Sequence, residues 1–239
     1  NNIRTALQGQ QGDRRLRLGI AGGEWKKMMA DATARTRFAS EVKKIIEQYE
    51  FDGVDFDFEW PANASEYNNY SATVIQMRST LGKYVYFTAS LHPVSFKISP
   101  EAIDALDFIS YQCYGPAVMR FPYEQFVKDG EAAVAYGIPK NKLVMGVPFY
   151  GSTGSLIAAY CDFVNDGLAT TNEDTYTYKG NTYTFNSIET IRKKARYVCE
   201  EDYAGIMSWD LATDIDITNN KSLLKVIKEE FEYYANPTE

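Results

Sequence analysis

The chain has 239 residues, enough for one domain with a large core, and a formal charge of −7 that argues against a nucleic-acid or anionic-membrane partner. No apolar run approaches the ~20 residues needed to span a bilayer. Three cysteines, Cys113, Cys161 and Cys199, with no CxxC spacing, imply neither a metal cluster nor a disulfide framework, and the lone His92 cannot by itself supply a zinc site or a triad.

Residues 1–15 are polar and read as a helix ending near Gly12. Leu16–Ala21 is a short strand, and Gly22-Gly23 before Trp25 marks a tight turn or a close backbone approach. Ala32–Tyr49 is predicted helical, since Phe38, Val42, Ile45, Ile46 and Tyr49 form one apolar stripe. It leads into Phe51–Trp60, FDGVDFDFEW, the most informative stretch of the chain. From Gly53 to Glu59 the residues alternate strictly, with Val54, Phe56 and Phe58 on one face of a strand and Asp55, Asp57 and Glu59 on the other. Three carboxylates on one strand face are costly for stability alone, which points to use in chemistry. The same pattern is also open to an acidic, solvent-exposed edge strand or a divalent-cation site, although the strict apolar alternation is unlike a calcium loop.

Pro61 ends that element, and Glu66–Leu81 is a second helix with Gly82 as its stop. Two glycosylation sequons, at Asn63 and Asn69, are weak patterns that matter only in a eukaryotic secretory setting. Tyr84–Leu91 is a strand followed by His92, to which a structural or substrate-rim role is given. Pro100–Leu106 is a short helix, Phe108–Tyr114 a strand, Tyr123–Tyr136 a helix stopped by Gly137, and Lys142–Pro148 a strand. Residues 152–186 break the rhythm and read as an insertion containing a hairpin that turns at Lys179-Gly180-Asn181. Ser187–Glu200 is a helix, Ala204–Trp209 a strand and Ser222–Tyr234 the last helix. Strands alternating with helices imply a parallel sheet in an α/β fold and, at this length, a single β/α-barrel domain over residues 1–239. In such barrels chemistry sits at the strands' C-terminal ends, where Glu59, Tyr114 and Trp209 fall.

The stretch FDGVDFDFEW resembles the acidic DGxDxDxE motif of glycoside hydrolase family 18, with Asp52, Gly53, Asp55, Asp57 and Glu59 at every fixed position. The resemblance extends from about Leu16 to the last helix. Gly22-Gly23 are similar to the family's SxGG segment, with Ile20 at the serine position, and the strand running into Phe149-Tyr150-Gly151 is similar to its seventh strand. Matched this way, the chain is a TIM-type barrel lacking the first two strands. Six barrel strands remain, and the insertion falls between strands seven and eight. Either the missing strands lie outside this sequence or the barrel is incomplete. The strands Leu16–Ala21 and Ala204–Trp209 are then expected to be edges, with a gap or an interchain contact beside them.

The resemblance implies a retaining glycosidase acting beside N-acetylglucosamine in chitin, chito-oligosaccharides or a glycan, with no cofactor and no metal. Glu59 would be the acid and then the base, and Asp57 would orient the substrate's 2-acetamido group, whose oxygen attacks the anomeric carbon. Asp55 would hydrogen-bond Asp57 and share charge or a proton with it. Tyr114 would donate to the acetamido carbonyl, although Gln112 and Gly115 stand where the family has other residues. Trp209 would floor the sugar, and Gln112, Tyr150, Gly22 and Gly23 are further candidate contacts. A secreted or extracytoplasmic location is expected. The alternatives are an endo-β-N-acetylglucosaminidase acting on N-glycan cores, a non-catalytic glycan-binding relative, and a metal-dependent hydrolase, the last disfavoured by the scarcity of histidine.

Overall fold

A computed structural model describes residues 5, 14–115, 117–169 and 172–236. The helix expected over residues 1–15 lies almost wholly outside them. The chain forms two compact units, one ending at Ile109 and the other starting at Ser110.

The first unit contains β1 (Arg17–Ala21), α1 (Trp25–Ala30), α2 (Ala32–Tyr49), β2 (Gly53–Asp57), α3 (Ala64–Leu81), β3 (Tyr86–Leu91) and α4 (Pro100–Ala105), with β4 (Phe108–Tyr111) at the boundary. β1 pairs with β2 and β2 with β3, both in parallel. The apolar face of β2 explains its place in the core. Val54 and Phe56 are fully buried, and the Phe56 ring meets Phe87 of β3 at 5.0 Å and Phe38 of α2 at 5.9 Å between centroids. Local signals set the helix ends. The Asp31 side chain accepts the Ala34 N–H at 2.7 Å and caps α2. Asn63 accepts the Glu66 N–H at 3.0 Å, while Glu66 accepts the Ala62 N–H at 2.8 Å, so both ends of the first turn of α3 are satisfied. α1 was not foreseen. It is a six-residue helix whose Trp25 and Met29 are buried.

The second unit continues with α5 (Tyr123–Tyr136), β5 (Leu143–Pro148), β6 (Tyr150–Ser152), β7 (Ile157–Ala159), α6 (Tyr160–Asn165), β8 (Thr175–Tyr178), β9 (Asn181–Thr184), α7 (Ile188–Glu200), β10 (Gly205–Trp209) and α8 (Leu223–Ala235). β5 and β10 pair in parallel. The expected insertion carries more than a hairpin. Its strands form a four-stranded sheet in the order β7-β6-β9-β8, antiparallel throughout. The β8–β9 turn falls on Lys179-Gly180, both with positive φ (49° and 78°), as a two-residue hairpin turn requires. Behind it Phe163 packs against Tyr176, Tyr183 and Phe185.

In the first unit the strands run in the order β1-β2-β3, and in the second β5 pairs with β10. Two strands end earlier than expected. The strand expected over Phe108–Tyr114 stops at Tyr111, because the Cys113 N–H turns back to the Tyr111 carbonyl at 2.8 Å. The ladder of β2 stops at Asp57, so Phe58 and Glu59 continue the alternation, buried and exposed respectively, beyond the last paired residue.

Candidate active site

The acidic row lies in the first unit. Parallel pairing places Arg17, Gly19 and Ala21 of β1 opposite Gly53, Asp55 and Asp57 of β2, and Thr88 of β3 opposite Asp55. Side chains alternate along a strand, so this register puts one face of three strands under the carboxylates. Ile20, at the serine position of the resembled SxGG segment, does not face the acids. Ile20 pairs with Phe56 on the apolar face, and the residue of β1 that faces the row at Asp55 is Gly19.

With glycine at that position, β3 supplies the hydroxyls. Thr88 Oγ1 donates to Asp55 Oδ1, and Ser90 Oγ donates to Asp55 Oδ2 at 2.9 Å. Arg17 Nη1 lies 3.4 Å from Asp55 Oδ1 and also donates to Thr88 Oγ1. Neither Thr88, Ser90 nor Arg17 was singled out from the sequence. The signal available was the pair of hydroxyls two residues apart in the strand that follows the acidic one.

Exposure rises along the row. Asp55 and Asp57 are half-buried, and Glu59 is exposed. The charges of Asp55 and Asp57 reach Tyr70, on α3. Burial is the larger cause of that phenol's strongly raised pKa, and the two carboxylates add to it. Past Glu59, the Trp60 ring lies 4.7 Å from His92 between centroids, and His92 is 1% exposed, so this histidine is a packed support. His92 Nδ1 accepts the Val94 N–H at 3.2 Å. Ser95 Oγ donates to the Pro61 carbonyl at 2.6 Å and receives the Tyr67 hydroxyl at 2.9 Å, tying down the segment that follows Glu59. Gly22 and Gly23 come directly after β1 and are exposed.

The remaining candidates lie in the second unit. The Tyr114 hydroxyl donates to Met207 Sδ at 3.5 Å, and its ring stands edge-on to Tyr150 with 6.4 Å between centroids. Burial raises the Tyr150 phenol to about 12. The glycine after Tyr114 has a steric reason. Gly115 has φ +39°, and a Cβ there would come within 2.9 Å of the Tyr150 hydroxyl. Gln112 is buried, whereas Trp209 is 54% exposed, a large aromatic face open at the end of β10. The Phe149 N–H donates to the Trp209 carbonyl at 2.8 Å, holding that strand end against β5. Among the described residues, no group of His, Cys, Asp and Glu is arranged to hold a metal ion, and no helix is long and apolar enough to cross a membrane.

A parallel α/β sheet thus carries a row of acids toward a strand's C-terminal end, where β/α folds place their chemistry. Residues 5–214 match glycosyl hydrolases family 18, and the chain belongs to that family. It is 23% identical over 297 residues to a probable chitinase 2 of Drosophila melanogaster, a match covering 91% of this chain and 60% of that protein. It is 24% identical over 260 residues to a class V chitinase of Arabidopsis thaliana, covering 82% of this chain and 69% of that one. Among solved structures, a family 18 chitinase of Flavobacterium johnsoniae superposes with a TM-score of 0.81 at 25% identity, over 96% of this chain and 79% of its own.

Proposed function

We propose that this chain is a glycosidase that cleaves β-1,4 bonds beside N-acetylglucosamine in chitin or chito-oligosaccharides, with retention of configuration and with the substrate's own acetamido group as nucleophile. The observation that carries this reading is the graded row on β2. A donor-held Asp55, a half-buried Asp57 and an exposed Glu59 share one strand face. The relatives described as chitinases support the choice of substrate class.

In this reading Glu59, at the open end, protonates the leaving oxygen and then activates water. Asp57 receives the acetamido N–H and stabilises the positive charge of the cyclised intermediate. Asp55 anchors the row from behind. By the family's pattern Tyr114 donates to the acetamido carbonyl and Trp209 floors the sugar, while Gln112, Tyr150, Gly22 and Gly23 are contacts. A secreted or extracytoplasmic location suits a polymeric substrate.

The test compares wild type with Glu59→Gln on a fluorogenic diacetylchitobioside and on a high-mannose glycoprotein. Wild type is expected to cleave the first, and the variant to lose about 10²–10⁴-fold, the size of a general acid–base contribution. Equal rates for the two proteins would remove Glu59 from the mechanism. Cleavage of the glycoprotein alone would move the substrate to N-glycan cores.

A further inference from the structure

Resting on the function proposed above, the structure assigns to Arg17 a positioning role that the acidic motif does not record. A row of carboxylates on one face needs a countercharge, and among the described residues Arg17 forms the one ion pair recorded to Asp55.

The path of the side chain is specific. Arg17 pairs in register with Gly53, where a Cβ would come within 2.0 Å of the Tyr86 carbonyl oxygen. From that position Arg17 crosses β2 and reaches both β3 and β4. Its guanidinium carbon lies 4.7 Å from the centroid of the Phe108 ring, and its Nη1 reaches Thr88 Oγ1 and Asp55 Oδ1. A hydroxyl has one proton. Having accepted from Arg17, Thr88 directs its proton to Asp55 Oδ1, and Ser90 directs its own to Oδ2. Both Asp55 oxygens therefore accept hydrogen bonds.

We propose that Arg17, acting directly and through Thr88, fixes the orientation of the Asp55 carboxylate within the row. Arg17 does not touch substrate. Its Cα is level with Gly53, four residues before Asp57, or about 13 Å along the strand. Its loss should therefore lower kcat and leave KM in place.

The experiment measures kcat and KM on the fluorogenic diacetylchitobioside for wild type, Glu59→Gln, Arg17→Met, Arg17→Lys, Asp55→Asn and the Arg17→Met/Asp55→Asn double variant, with Tm recorded for each. Arg17→Met is expected to lose about 10–100-fold in kcat with KM within about twofold, the scale of one charge-assisted contact. Arg17→Lys should recover most of that loss. In the Asp55→Asn background, with no anion left to hold, Arg17→Met should have no further effect. Wild-type kcat in Arg17→Met alongside an inactive Glu59→Gln would overturn the role of Arg17 and leave the function standing. An equal loss in both Asp55 backgrounds would also overturn it, by showing that Arg17 acts through the fold at large. Equal rates for wild type and Glu59→Gln would sink the functional reading, and this inference with it. Should Arg17→Met prove insoluble, Thr88→Val cuts the same relay and is read against the same outcomes.

Discussion

Lys194, on α7, is a cation inside the second unit. Its side chain is fully buried. The ammonium donates to the Phe121 carbonyl and to Asn186 Oδ1, each at 2.7 Å, and sits 4.9 Å from the Phe126 ring centroid. Burial, the leading cause, pulls its pKa from 10.5 down to about 7, against the opposing pull of nearby Cys113 and of Asp174, Asp129 and Glu124. The folded state therefore holds this proton less tightly than the unfolded chain does. Below about pH 7 both states are protonated and the cost of the buried cation is present in full. As pH rises above 7 the folded state sheds the proton first, and stability increases. Each pH unit in that window contributes up to about 1.4 kcal/mol, so between pH 7 and 8.5 the gain is about 2 kcal/mol. For a chain of this size that is a rise in Tm of roughly 4–8 °C. The buried Cys113 thiol, whose pKa is raised chiefly by burial, acts in the opposite sense, but only as pH passes its ordinary 9.0. The measurement is thermal unfolding of wild type and Lys194→Met at several pH values from 6.5 to 8.5. The variant keeps the length of the side chain and should flatten the dependence, while leaving Asn186 Oδ1 without its donor at a cost of about 1–3 kcal/mol at every pH. Parallel slopes for the two proteins would refute the reasoning.

Other substitutions test other parts of the structure. Tyr70 is fully buried and its hydroxyl has no hydrogen-bond partner among the described residues, so Tyr70→Phe should be neutral or stabilising by up to about 1 kcal/mol in urea unfolding. A clear loss would reveal a partner for that hydroxyl. Gly115→Ala places a Cβ against the Tyr150 hydroxyl at a positive φ and is expected to cost about 1–3 kcal/mol. It should also disturb Tyr150, readable as a change in its near-ultraviolet dichroism, and an unchanged spectrum with unchanged stability counts against the close approach. Asp52 Oδ2 accepts the Leu16 N–H at 2.6 Å, so Asp52→Ala should speed amide exchange across β1 before it affects β5. Uniform exchange rates would show that this carboxylate does not hold the edge strand.

Much of this was legible because local signals agreed with tertiary needs. The bounds of α2 were set by an apolar stripe that begins just after a capping Asp31, and those of α5 by a glycine stop, Gly137 at φ +116°. The Lys179-Gly180 turn announced its hairpin because both residues had to take positive φ. By contrast, α1 is too short to show a period, and it is held by the packing of Trp25 on Phe58 and Tyr70. The acids of the site were visible as a pattern on one strand, but their partners were not. Arg17 reaches Thr88 because three strands align in one register, and a single chain pattern does not encode that alignment. Gly115 read as a departure from the family until Tyr150, thirty-five residues later, was seen to approach it.

The four acids from Asp52 to Glu59 show how one strand can carry so much negative charge. Asp52 joins three strands. Its carboxylate and its N–H engage Leu16, and its carbonyl accepts the Tyr86 N–H at 3.0 Å. Asp55 is enclosed by two hydroxyls and a guanidinium. Asp57 pairs with Ala21 at the last rung of the ladder, and Glu59 lies exposed beyond it. From Asp55 to Glu59 the side chains pass from half-buried to exposed, and the cost of the Asp55 charge is met by the donors around it. It follows that Asp52→Ala and Asp55→Asn should lower Tm, whereas Glu59→Gln should leave it within about 1 °C of wild type while removing activity. If Glu59→Gln destabilised the fold as much as Asp55→Asn did, Glu59 would be a structural member of the row, and the division between holding and reacting acids would not exist.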